Sequence, residues 1–254
     1  MTPPLPPNLA TLLEKAAFDN GFDREFEPIG EWLHYGSTQI PLHVWLGAFG
    51  NVPLAAFSQE HVARALGDTG TPLLSPLPPG AAAGRSVADL PQLHRLLRRA
   101  FQLGCALPDQ PLRQFEQRTA SLPRTTEAER QVIQRVGQEL FRAGLLEYWE
   151  GRCAVTGLAV PELLRASHIK PWADCATDAE RLDIYNGLLL APHLDAAFDR
   201  GLVTFDAAGV LVVADTLDTA ARVLLGLDRP LRLRTITDPH RAHLVWHREK
   251  VFRG

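Results

Sequence analysis

The sequence predicts an α+β protein in three consecutive regions: a mixed α and β region at residues 1–84, a helical region at 85–148 and a second mixed region at 149–254. Apolar residues recur at helical spacing, short runs rich in β-branched and aromatic residues alternate with turns, and proline and glycine cluster between them. The chain has 254 residues, of which 46% are hydrophobic and 22% charged. That composition is typical of a folded protein with one large or two modest cores.

The first region is predicted to begin with a helix and to continue as strands. Apolar residues within 9–17 fall at helical spacing, and residues 32–46 contain two predicted strands around a turn. Proline lacks the N–H that a central strand needs, so Pro41 predicts that one of these strands lies at a sheet edge. Ser58 is predicted to cap a short helix. Residues 71–84 are rich in proline and glycine, which predicts an exposed connector.

The helical region contains the strongest helix signal. Thr126 and Glu129 form a capping box, and an apolar stripe follows, so a helix is predicted over 127–148. Leucines at helical spacing predict an earlier helix at about 87–103, and a shorter one is predicted at 112–118. After the third region's central segment, a strand hairpin and a C-terminal helix are predicted.

Composition and charge exclude several classes of protein. No apolar run of about 18 residues occurs, and the N-terminus lacks the features of a secretory signal, so no membrane span or export is predicted. The three cysteines are far apart, which favours a reducing cytoplasm over a disulfide framework or thiolate zinc site. A formal net charge of -3 argues against tight, non-specific binding to nucleic acid. Arginine clusters leave a local basic face open, and ordinary solvated faces explain them equally well.

The most informative segment runs from residue 153 to 199. A first strand is predicted at 153–157 and a second at 163–169, which places His168 at the end of a hairpin. Histidine is suited to take a proton near neutral pH. A half-buried histidine bonded to backbone is the alternative interpretation. Asn186 precedes a glycine, which by itself is a turn signal.

The order of histidine, asparagine and an acid-bearing helix resembles the HNH (ββα-metal) endonucleases, and specifically bacterial HNH nucleases of restriction type. The run Asn-Gly-Leu-Leu-Leu that leads into Phe198 and Asp199 strengthens the resemblance, which covers about residues 150–206. It implies a ββα-metal fold for an HNH domain at 149–254 that includes a C-terminal extension. It also implies that His168 activates the attacking water and that Asn186 braces the loop. By position, residues 1–84 would be the DNA-recognition domain.

The resemblance also suggests which residues hold a metal. The family's commonest motif places its ligand nine positions after the asparagine, at Asp195, whereas His193 comes two residues earlier. If a helix begins at Pro192, Asp195 and Asp199 share one face, and His193 points about 160° away at ~100° per residue. Asp195 is therefore the predicted principal ligand and Asp199 the second. Their carboxylates suit one hard ion, Mg²⁺ or Mn²⁺. Asp195 also fits a simple role as a helix N-terminal acid.

The remaining site residues rank lower. Ser167 stands where many relatives carry a second ligand, and it is named with His193 as a further contact to metal or phosphate. Arg165, Lys170 and Arg181 are predicted to bind the substrate backbone, although structural roles explain each of them as well.

The function predicted from these residues is metal-dependent hydrolysis of DNA. One site makes one nick, so cleavage of double-stranded DNA needs a homodimer or two events. One alternative is a non-catalytic nucleic-acid-binding module with the same fold. Another is a toxin nuclease that acts on RNA or on host nucleic acid.

Overall fold

The computed structural model describes residues 5–67, 69–74, 76–106, 110–123 and 126–254. Residues 1–4 lie outside this description; they belong to the N-terminal segment in which no secretory signal is predicted. Ser75, within the predicted connector, lies outside it as well. The chain divides into two compact units, Met1–Gln110 and Pro111–Gly254. Among the described residues, no helix combines the length and apolar character needed to cross a bilayer.

The first unit is built on an antiparallel sheet. In the described part of this unit, six strands lie in the order β1-β2-β3-β4-β6-β5. The strands are β1 (Arg24–Ile29), β2 (Trp32–Gly36), β3 (His43–Phe49), β4 (Val52–Phe57), β5 (Thr71–Pro72) and β6 (Ala83–Ser86). The helices are α1 (Pro7–Asp19), α2 (Glu60–Ala65) and α3 (Leu90–Ala106). Helices α1 and α3 contact each other and the sheet, and the apolar side chains at these contacts form the core of the unit.

Three predictions for the first unit were wrong in detail. Pro41 lies in the turn between β2 and β3, and both are inner strands rather than edges. Ser58 does not cap α2, because its hydroxyl accepts a hydrogen bond from the backbone N–H of His43, at 3.0 Å. The predicted connector at 71–84 also contributes to the sheet through β5 and the start of β6. Pairing with β4 is a non-local interaction that the proline and glycine content does not reveal.

The second unit contains a small strand pair and a set of helices. Helix α4 (Gln110–Thr119) begins at the unit boundary, and α5 (Glu127–Tyr148) begins at the predicted capping box between Thr126 and Glu129. The predicted bounds of α5 are therefore confirmed. The later elements are β7 (Arg165–His168), α6 (Asp178–Leu182), β8 (Gly187–Leu190), α7 (Pro192–Asp199), β9 (Val203–Phe205), β10 (Leu211–Val213), α8 (Thr219–Leu224) and α9 (Asp238–Lys250).

Strands β7 and β8 form an antiparallel pair, and α7 packs against β7, which gives a ββα arrangement. The predicted first strand at 153–157 was wrong. This segment is a turn, in which the N–H of Gly157 donates to the carbonyl of Cys153 at 3.1 Å and Gly157 has φ 74°. The partner of β7 is instead β8, whose four residues are all buried. A short, continuous apolar run of this kind is consistent with a strand buried on both faces.

Candidate active site

The β7–β8 pair places His168 and Asn186 side by side. His168 is the last residue of β7 and lies opposite Gly187, the first residue of β8. Asn186 immediately precedes that glycine, and its backbone carbonyl accepts a hydrogen bond from Ile169 at 2.9 Å. Two residues that are distant in the sequence therefore meet at one end of the strand pair.

The side chain of Asn186 is fully buried and closes the loop between the strands. Its Oδ1 accepts from the backbone N–H of Lys170 at 2.7 Å. Its Nδ2 donates to the carbonyls of Lys170 and Glu180, at 3.2 Å in each case. The side-chain amide of Asn186 thus links the two ends of the loop that follows His168 and holds the loop closed.

The imidazole of His168 is held by one hydrogen bond and two rings. Its Nε2 lies 2.8 Å from the backbone carbonyl of Arg181. Because a carbonyl only accepts, Nε2 carries the hydrogen, and in the neutral ring Nδ1 has the lone pair. No residue in the described ranges forms a hydrogen bond with Nδ1. Phe141 stacks on the ring with centroids 3.7 Å apart, and Trp172 approaches edge-on at 5.6 Å.

Burial lowers the pKa of His168 to about 4, against a partial opposing effect of the hydrogen bond to the Arg181 carbonyl. The cause is desolvation, which disfavours the charged imidazolium. At neutral pH the ring is therefore neutral, and Nδ1 keeps its lone pair.

His168 lines a cavity of about 340 Å³ beside the acidic helix. The same cavity is lined by Ser167 and Asp199, and the Ser167 hydroxyl donates to Oδ1 of Asp199 at 3.2 Å. Ser167 is buried, whereas Asp199 is reached by solvent. Other lining residues are Ala166, Ile169, Pro171, Trp172, His247 and Val251.

Asp195 and Asp199 lie one turn apart on α7. Partial burial raises the pKa of both carboxyls, and repulsion by Asp195 raises that of Asp199 further. Hydrogen bonding to Ser167 lowers both values, and the cations Arg165 and Arg200 lower those of Asp195 and Asp199 respectively. Two carboxylates that repel each other in a partly desolvated site are a suitable place for a cation.

The side chains near the cavity offer few donors for a metal ion. The described part of the chain contains no group of three or more His, Cys, Asp or Glu side chains arranged around a common point. The available donors are two carboxylates and the Ser167 hydroxyl, all oxygen, which fits a hard divalent ion that keeps several waters. His193 is exposed on α7 and does not line the cavity.

Two of the three predicted substrate contacts are engaged within the domain. Lys170 Nζ lies 2.6 Å from Glu180 Oε1, and only 16% of the lysine side chain is exposed. The guanidinium of Arg181 donates to Asp178 Oδ1 and to the carbonyls of Trp172 and Cys175. Both side chains therefore stabilise the loop after His168, and of the three predicted contacts it is Arg165 that is exposed beside the carboxylates.

Three features of the site were not predicted from the sequence. They are the Phe141 ring on His168, the Arg181 carbonyl that receives the imidazole N–H, and Arg200 next to Asp199. Gly187 leaves room for the Phe141 ring, and Gly137 leaves room for Trp172.

Residues 153–206 match the model of a family described as HNH endonuclease. This segment includes β7, β8 and α7, and with them His168, Asn186 and both carboxylates. No curated protein matches the chain. Sequence match and ββα architecture agree, and the second unit of this chain therefore contains a domain of the HNH endonuclease family.

Proposed function

We propose that this chain is a metal-dependent endonuclease that hydrolyses phosphodiester bonds of DNA, acting in the cytoplasm to restrict foreign or modified DNA. The observation that carries the proposal is the state of His168. Its Nε2 hydrogen is held by the Arg181 carbonyl, and the ring lines the same cavity as Ser167 and Asp199. A neutral histidine with an available nitrogen beside an acidic pocket is what general-base hydrolysis needs.

In this proposal His168 takes a proton from water at Nδ1 as the water attacks phosphorus. Asn186 keeps the loop closed through its bonds to Lys170 and Glu180, so that the Arg181 carbonyl stays in place. The bond between phosphorus and the 3′ oxygen breaks, which leaves a 5′-phosphate, and the departing 3′ oxygen takes a proton from solvent water to become a 3′-hydroxyl.

Asp195 and Asp199 would hold the divalent ion, Mg²⁺ or Mn²⁺, with the Ser167 hydroxyl near Asp199. When bound there, such an ion supplies stabilisation of the negative charge that develops on the phosphate. Asp199 lines the cavity, which gives the predicted second ligand a role at least as direct as that of Asp195.

We assign the contacts to the DNA backbone to Arg165 and Arg200, which are exposed next to the two carboxylates. Arginine suits this role because its planar group binds phosphate oxygens in pairs. Lys170 and Arg181 support the loop instead. Recognition of the DNA sequence or its modification is assigned to the N-terminal region, and cutting of both strands to a homodimer or two successive events.

The proposal is tested with purified full-length chain and supercoiled plasmid, either unmodified or carrying modified cytosine, and with a structured RNA. Each substrate is incubated with Mg²⁺, Mn²⁺ or EDTA. We expect nicked plasmid that requires a divalent ion and that is absent for His168→Ala, which should still fold and still bind DNA.

Failure to cleave any substrate with any ion would overturn the proposal in favour of a non-catalytic binding module. Degradation of RNA with intact plasmid would replace it with the toxin-nuclease alternative.

A further inference from the structure

Helix α5 precedes the segment that matches the HNH family, yet it supplies the ring that touches His168. Phe141 is 1% exposed, and its ring lies 3.7 Å from the imidazole centroid with an angle of 12° between the planes. The two rings therefore lie face to face. The family segment, 153–206, does not include this residue.

A glycine in β8 makes room for this stack. A Cβ atom on Gly187 would lie 2.5 Å from Cζ of Phe141, closer than real Cβ contacts allow. Gly187 has φ -145°, which any residue adopts, so its backbone does not require glycine. The space is required by Phe141 and by the neighbouring Leu145 on the same helix.

A second glycine, in α5, makes room for the other ring at His168. A Cβ on Gly137 would lie 2.5 Å from Trp172, which meets the imidazole edge-on at 89°. The guanidinium of Arg181 lies 5.8 Å from the Trp172 ring, and the carbonyl of Arg181 holds the imidazole N–H. The imidazole is thus restrained on one face, at one edge and at Nε2.

We propose that Phe141 is a positioning residue for His168, so that helix α5 is a working part of the active site. The inference rests on the proposed function. One hydrogen bond leaves a ring free to swing about it, and the flat contact with Phe141 removes that freedom. The ring, and Nδ1 with it, then keeps one orientation at the cavity that His168 lines together with Asp199. Misplacement of a reacting group by about 1 Å is enough to cost ~10²-fold in rate.

The test is Phe141→Leu in the full-length chain, with supercoiled plasmid and Mn²⁺ or Mg²⁺. Leucine keeps the site apolar but removes the flat surface. We expect kcat to fall by about 10–100-fold and KM to stay within about twofold, because the substrate contacts are untouched. Phe205→Leu is the matched control: Phe205 is also 1% exposed, but it belongs to β9. It should lower thermal stability comparably and leave kcat within about twofold.

A spectroscopic readout separates positioning from loss of stability. In the wild type, the ring current of Phe141 shifts the NMR signals of the His168 ring protons upfield. In Phe141→Leu these signals should return towards ordinary histidine positions, while those of His247 stay unchanged. Gly187→Ala would push on the tip of the Phe141 ring and should lower kcat as well, so it provides a second test if Phe141→Leu fails to fold.

An active wild type with unchanged kcat in a folded Phe141→Leu would overturn the inference and leave the proposed function standing. An equal loss of kcat in Phe205→Leu would also overturn it. A wild type that cleaves nothing would instead remove the proposed function, and the positioning role with it.

Discussion

Two histidines of the second unit occupy closely similar surroundings. His168 stacks on Phe141 with centroids 3.7 Å apart, and His247 stacks on Phe198 at 3.8 Å. Burial lowers the pKa of both histidines to about 4, and both rings direct Nε2 at a backbone carbonyl. Both line the same cavity.

The two histidines differ at the other ring nitrogen. Nδ1 of His247 lies 3.0 Å from the hydroxyl of Thr204, so both nitrogens of that ring have partners. Nδ1 of His168 has no hydrogen bond within the described residues. Burial, stacking and a low pKa are therefore shared by both residues, and the available nitrogen is what distinguishes the proposed base from a structural histidine.

The proposed difference between the two histidines is tested most directly by His168→Gln. Glutamine can still donate to the Arg181 carbonyl but cannot act as a base near neutral pH. We expect the rate of plasmid nicking to fall by about 10²–10⁴-fold, the usual contribution of a general base. The variant should still fold, as measured by circular dichroism. Nicking at the wild-type rate would show that Nδ1 of His168 is not used.

The two carboxylates of α7 provide the next test. Asp199 lines the same cavity as both histidines. Asp199→Asn and Asp195→Asn should each weaken activation by Mn²⁺, with about 10–100-fold more ion needed for half-maximal nicking. A titration of rate against metal concentration measures this. Asp215→Asn, at a fully exposed aspartate, is the matched control. His193→Ala should also leave the titration unchanged, and a large shift there would identify His193 as a ligand.

Local signals explain which parts of the fold were predictable. The bounds of α5 follow from Thr126 and Glu129, which are three residues apart and form their capping box within one turn. The pairing of β7 with β8 was missed, because 18 residues separate His168 from Gly187 across the loop and nothing local specifies the register. The run Asn-Gly-Leu-Leu-Leu supported the family resemblance, but the strand that residues 187–190 pair with was not predicted.

The site was predictable as a set of residue types and much less so as a set of contacts. The order of His168, Asn186 and Asp195 is visible in the sequence through the family resemblance. The sequence does not show that Lys170 and Arg181 form their hydrogen bonds within the loop. An arginine that binds a phosphate and an arginine that binds backbone carbonyls look alike in sequence. The unpartnered nitrogen of His168 depends on tertiary structure in the same way.

His247→Gln tests whether His247 has a structural role rather than a catalytic one. This change removes the stack on Phe198 and at least one of two buried hydrogen bonds. We expect a loss of about 2–4 kcal/mol in the free energy of unfolding, measured with urea, and a smaller effect on the nicking rate of the folded protein than His168→Gln has. A loss of rate equal to that of His168→Gln, with stability intact, would make the two histidines catalytic equals.

His168 and His247 should contribute equally to the pH dependence of the free energy of unfolding. Burial lowers the pKa of His168, His240 and His247 to about 4, whereas in the unfolded chain each titrates near 6.5. Between these values the unfolded chain binds more protons, so stability is complete above about pH 6.5 and falls as the pH drops towards 4.

Each histidine contributes a slope of at most about 1.4 kcal/mol per pH unit in that window. Asp195 and Asp199 offset part of it, because their raised pKa values make protonation favour the folded state. Urea unfolding from pH 7.5 to 4.5 measures the slope, and His168→Gln and His247→Gln should each reduce it by a similar amount. A slope that only one variant reduces would mean that the two rings are not equally desolvated. Equal effects on stability and unequal effects on cleavage would isolate the available Nδ1 as the cause of the catalytic difference.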